Sequence, residues 1–197
     1  MSDRRHEAGF SMAEMAVSLA LFCLAMGGIS GLLIQNSQVN RTEQMLAEVQ
    51  GNARNTLSMI VQVLRSTGWD PMNTGMMTVV LDPLPDDSVN YIEVLADLNE
   101  DGDAEDPDER ILIRHINNQV EWRTSSDVSQ PYEILADNIT NDSDGDGVVE
   151  TMFVPDSLTN PTRITVRITA RSPTIDPRRG DYLRYTISSE VSLRRNL

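Results

Sequence analysis

Residues Met15 to Ile34 read MAVSLALFCLAMGGISGLLI, twenty consecutive positions without a charge. Wound as a helix at about 1.5 Å per residue, they extend roughly 30 Å, the thickness of a bilayer's hydrocarbon core. In front stands a short polar head, MSDRRHEAG, carrying Arg4 and Arg5; behind it the chain turns polar at Gln35. The positive-inside rule then keeps the head in the cytoplasm and exports everything beyond Ile34.

The remainder of the 197 residues is enough for one domain. All 16 basic residues are arginine, against 30 acids, for a net charge of −14. That balance argues against a nucleic-acid partner, because gripping phosphates needs a clustered positive surface. At 40% apolar and 23% charged, the composition is that of a folded protein rather than a disordered acidic tail. Aromatics make up only 5%, so the core must be built from Ile, Val, Leu and Met. Cys23 is the single cysteine, which excludes an intrachain disulfide and a cysteine-built zinc site.

A cleaved secretory signal and a plain single-span anchor both account for an apolar run. Neither accounts for Glu14, which sits four residues into a stretch otherwise apolar from Phe10 onward. A carboxylate in a membrane helix costs on the order of 3 kcal/mol and normally has a partner. A cut after Gly9 would place a new amine at Phe10, one helical turn from Glu14. That ammonium, from the same chain or a neighbour, would neutralise the acid. The first turn of a helix also favours negative charge through the macrodipole.

Gly9-Phe10-Ser11-Met12-Ala13-Glu14 and the apolar run after it resemble the class III signal of type IV prepilins and type II secretion pseudopilins. The resemblance implies cleavage after Gly9 by a prepilin peptidase and N-methylation of Phe10. It also implies that Glu14 pairs with a neighbouring subunit during assembly. Ser11, Met12, Ala13 and Met15 depart from the common Gly-Phe-Thr-Leu-Ile-Glu-Leu wording, while Gly, Phe and Glu stay in register. The implied fold is α+β and type IV pilin-like: a long N-terminal helix, membrane-spanning in its first half, packed on an antiparallel sheet head. The implied divisions are a leader over 1–9, a transmembrane or filament-core helix over 10–34, its amphipathic continuation over 35–68 and a β-rich head over 69–197. The implied partners are other pilins and minor pilins, the prepilin peptidase and an inner-membrane assembly platform.

Beyond Ile34 the pattern becomes amphipathic. Leu46, Val49, Ala53, Leu57, Ile60 and Leu64 step by three or four, the stripe of a helix packed on one side, while Arg41, Glu43, Glu48, Asn52 and Arg54 suit a solvated face. No proline intervenes between Phe10 and Trp69, so a single helix of about fifty-five residues is expected, roughly 80 Å long. Gly68 fits a C-terminal cap and Asp70-Pro71 stops the helix. Gly27-x-x-x-Gly31 fits the close-packing motif of membrane helices. Each of Gly27, Gly28 and Gly31 costs about 1 kcal/mol of helix stability relative to alanine. In the resembled family a weakened stretch near here can unwind as subunits enter the filament, and Gly27 to Gly31 is the candidate.

Leu64-Arg65-Ser66-Thr67-Gly68-Trp69-Asp70-Pro71 resembles the Arg-x-Ala-Gly-Tyr-Asp-Pro wording of PilW-type minor pilins, with Thr67 for alanine and Trp69 for tyrosine. Ile134-Leu135-Ala136-Asp137-Asn138-Ile139 is similar to another phrase of that group. These matches imply a minor pilin near the filament tip.

In the head the period is two. Thr78 to Leu81 and Val89 to Leu95 read as strands, and Ile111 to Ile116 with Gln119 to Thr124 reads as a hairpin turning at Asn117-Asn118. Ile164, Val166, Ile168 and Ala170 alternate with polar residues, as do Leu183, Tyr185, Ile187, Ser189, Val191 and Leu193. One antiparallel sheet with a polar face is expected, against which the second half of the helix packs.

Two acidic loops interrupt the strands. The stretch from Asp82 to Glu109 holds twelve acids and no base. Within it, Asp97-Leu-Asn99-Glu-Asp101-Gly102-Asp103 has the D-x-N-x-D-G start of a calcium loop, with Asp108 at the twelfth position. The second, Asp142-Ser-Asp144-Gly-Asp146-Gly147, has Phe153 at position twelve, so Glu150 would have to close its shell. Asp and Gly are ordinary turn formers, but crowded carboxylates repel unless a cation relieves them. Calcium is the expected cofactor. Its ligands would be Asp97, Asn99, Asp101, Asp103 and Asp108 in one loop, and Asp142, Asp144, Asp146 and Glu150 in the other.

No catalytic reading stands out. His6 lies in the leader and His115 within a strand, and Gly-x-Ser-x-Gly, Walker and dinucleotide motifs are all missing. The chain is therefore not expected to be an enzyme. Eight arginines from Arg163 to Arg195 face three acids in the same segment, and could meet the acidic loops of a neighbour or of the chain itself. The expected function is that of a PilW-like minor pilin in the inner membrane and then in a cell-surface pilus. The alternatives are a J-type pseudopilin of a secretion system and a membrane-anchored calcium-dependent adhesin or binding module.

Overall fold

The computed structural model describes residues 11–72, 79–81, 90–106, 109–124, 130–158 and 161–193. Gly9, Phe10, Thr78, Val89 and Asp108 lie outside the described residues. Two compact units divide the chain, Met1–Glu43 and Gln44–Leu197.

One helix, α1 (Met12–Ser66), runs without a break through Gly27, Gly28 and Gly31. Its apolar first part, including Leu19, Phe22, Leu24 and Leu33, is exposed. This makes it the one described helix long and apolar enough to cross a membrane. Burial begins in the amphipathic stretch, where Val49, Ala53, Leu57, Ile60 and Leu64 face the core as the spacing predicts. Leu46 stays exposed, and Thr56 joins the buried stripe by turning its hydroxyl onto the Asn52 carbonyl at 2.8 Å. The helix stops where Gly68 takes the left-handed conformation, φ 77°. The Gly68 amide then leaves the helix and donates to the Leu95 carbonyl at 3.2 Å.

Among the described residues the head contains two antiparallel sheets where the sequence suggests one. The first has five strands in chain order: β1 (Val79–Leu81), β2 (Tyr91–Leu95), β3 (Arg110–Ile116), β4 (Gln119–Arg123) and β5 (Glu133–Asp137). The second has three: β6 (Phe153–Pro155), β7 (Arg163–Asp176) and β8 (Asp181–Ser192). An isolated bridge pairs Ile139, just beyond β5, with Ala170 of β7. The β3–β4 hairpin turns at Asn117 and Asn118, both with positive φ, as a two-residue turn matched to strand twist requires.

Strand β7 continues past Ala170, where the apolar alternation stops, because the ladder absorbs Pro173 in an irregularity between Arg171 and Ile175. There the Ser172 hydroxyl accepts the Leu183 amide at 3.0 Å, supplying a bond that the ladder loses. The buried stripe of α1, the inner residues Ile92, Val94, Ile113 and Val120 of the first sheet, and Phe153, Ile164, Val166, Ile168 and Val191 of the second form one apolar core. The result is an α+β fold in which the second part of the long helix and both sheets share that core.

Candidate functional site

Three places carry the chemistry that the sequence singles out. The first is the start of α1. The Ser11 amide donates to Oε2 of Glu14 at 2.9 Å, and the Glu14 amide donates to Oγ of Ser11 at 3.3 Å. This is a capping box, which satisfies two of the amides that a helix start leaves open. Glu14 thus has a local role as well as a charge. The Ser-x-x-Glu spacing ahead of an apolar run is its signal in the sequence, outweighed there by the Gly-Phe junction.

The second place is the loop between β2 and β3. Asp97 is buried and stands behind the turn, its Oδ1 accepting the Asp101 amide and its Oδ2 the Gly102 amide, each at 3.1 Å. Asn99, Asp101 and Asp103 each fold back onto an amide two residues ahead. Nδ2 of Asn99 also bridges the carboxylates of Asp101 and Asp106, at 3.1 and 2.6 Å. Asp101, Asp103 and Glu109 bring carboxylate oxygens within 4.8 Å of one another.

Glu109 escapes the loop-spacing rule. It stands one position beyond Asp108, where a strand rather than an exit helix follows. Its Oε1 accepts the amides of Leu98 and Asn99 at 2.8 and 2.9 Å, which ties the two ends of the loop together. The same loop is anchored to the end of α1, since the Asp97 amide donates to the Trp69 carbonyl at 2.8 Å.

The third place is the loop from Asp142 to Glu150. Asp142, Asp144 and Asp146 gather oxygens within 4.8 Å. Glu150 is engaged elsewhere, accepting from the Ser143 hydroxyl and pairing with Arg167 at 3.5 Å. The Arg184 guanidinium lies so near Gly145 that a Cβ there would come within 2.9 Å of it. Gly145 therefore has two reasons to be glycine, this close approach and its φ of +87°. Two arginines of the basic C-terminal segment thus lie against this loop of their own chain.

His115 on β3 is a structural residue. Its Nε2 donates to the Ile139 carbonyl at 2.7 Å, next to the bridge to β7. Burial holds its pKa below the ordinary 6.5, outweighing that hydrogen bond, which acts in the opposite direction. Comparisons with family models, with curated proteins and with solved structures find no match.

Proposed function

We propose that this chain is a PilW-like minor pilin, a subunit of a type IV filament that acts by assembly rather than by catalysis. In this reading prepilin peptidase cuts after Gly9 and methylates Phe10. The subunit waits in the inner membrane with its N-terminus on the cytoplasmic side and its head exported. It then joins sister subunits near the filament tip through the assembly platform. One observation carries the reading: the exposed apolar part of α1 is uninterrupted from Met12 and has one acid, Glu14, in its first turn. Exposed apolar surface of that length needs lipid or neighbouring helices around it. A carboxylate at its head needs a cation, and the terminal ammonium of Phe10 would supply one.

The capping box sharpens the test. Glu14→Gln keeps an acceptor for the Ser11 amide and removes the charge, whereas Glu14→Ala removes both. In the native cells, both variants should reach the membrane and be processed, yet fall at least about tenfold in sheared filaments if charge pairing drives entry. Wild-type incorporation of Glu14→Gln would reduce Glu14 to a helix cap and remove the reading's main support.

A further inference from the structure

Thirteen residues from Asp97 to Glu109 carry eight acids and no base. Among the described residues, none of the acids Asp101, Asp103 and Glu109 pairs with an arginine, although their oxygens lie within 4.8 Å of one another. An acidic turn can exist without an ion, so the cluster alone decides nothing. The deciding observation is Glu109. The residue is only 3% exposed, and among the described residues its buried Oε2 has no hydrogen-bond partner, while the carboxylate reaches into the cluster. An orphaned, buried carboxylate oxygen is costly, and native proteins satisfy such atoms with a donor, a water or a metal.

We propose that this loop binds a calcium ion through Asp101, Asp103 and Glu109, with the Glu109 carboxylate closing the shell from the position just before β3. Hard oxygen donors from several carboxylates on an irregular loop suit calcium, which takes more ligands in looser geometry, over the smaller and stricter magnesium. Asp97 shapes the site by holding the amides of Asp101 and Gly102. The ion would tie the loop to the residue that leads into β3, and through the Asp97 amide on the Trp69 carbonyl it would help fasten the end of α1 to the first sheet. The Asp142 loop serves as the internal control, because Arg167 and Arg184 already lie against it. Calcium binding here is independent of the filament reading, and a failure of either leaves the other standing.

The test uses the full-length protein in detergent, stripped of metal with a chelator and titrated with calcium chloride by calorimetry, with melting followed in parallel. The wild type should release or absorb heat at sub-millimolar calcium, melt at a higher temperature in its presence, and respond at least about tenfold more weakly to magnesium chloride. Glu109→Gln should weaken calcium binding roughly tenfold or more while melting no lower than the wild type in chelator. Asp103→Asn, at an exposed position, should weaken it similarly, which keeps the result readable if Glu109→Gln folds poorly. Asp144→Asn should leave this binding intact. Absence of a calcium response in the wild type, an equal response to magnesium, or unweakened binding in Asp103→Asn would overturn the proposal.

Discussion

His115 shows how a single side chain can make the head sensitive to pH. Burial favours its neutral ring in the folded chain, and the Ile139 carbonyl needs only one N–H. Its folded pKa therefore lies below the unfolded value near 6.5, and the unfolded chain takes up the proton first as pH falls. Its contribution to stability is complete above about 6.5, and declines with falling pH until the folded pKa is reached. The melting temperature of the wild type should drop more steeply from pH 7 to pH 5 than that of His115→Gln, which keeps a donor for Ile139. Parallel curves would show that His115 does not carry this dependence. At the same scale, Glu14 and Glu109 are unequally legible in the sequence. Glu14 stands out as a charge in an apolar run, and its Ser-x-x-Glu spacing also carries the signal of its bond to Ser11. Glu109 is hidden because the loop rule counts to an exit helix, whereas here the acid that joins Asp101 and Asp103 stands just before a strand.

At the scale of elements, α1 is one helix with two sequence logics. Its first part is apolar on all sides and exposed; its second is striped and buried on one side. Substitutions should separate them. Ile60→Ala, at a fully buried site, should cost about 2–5 kcal/mol and lower the melting temperature by roughly 10 °C. Leu24→Ala, at an exposed site, should leave the melting of the head unchanged. Equal losses would mean that the first part contributes to the core of the head.

The helix is legible because periodicity, the lack of proline and Gly68 all agree. Strands β7 and β8 are legible from alternation, but the reach of β7 through Pro173 is not, since it depends on a bulge and on the Ser172 hydroxyl. Strand β5 escapes as a strand because its residues Glu133 to Leu135 are exposed or half-buried rather than alternating. Strand β6 is only three residues long. The division into two sheets follows from partner choice along the chain, which a period of two does not encode.

For the molecule as a whole, burial and charge are distributed in opposite ways. Apolar surface is left open on the first part of α1, while the described residues of the head enclose an apolar core and carry the acidic loops, anchored by the buried Asp97, Glu109 and Asp142. A subunit held in lipid and then in a bundle of sister helices would use both features, the helix for entry into the filament and the head for what the filament presents. That role turns on a new N-terminal amine made beside Glu14. Tandem mass spectrometry of the chain isolated from membranes measures it directly. The expected N-terminus is Phe10, heavier by one methyl group on its nitrogen. A chain beginning at Met1, or one trimmed beyond Ile34, would contradict it.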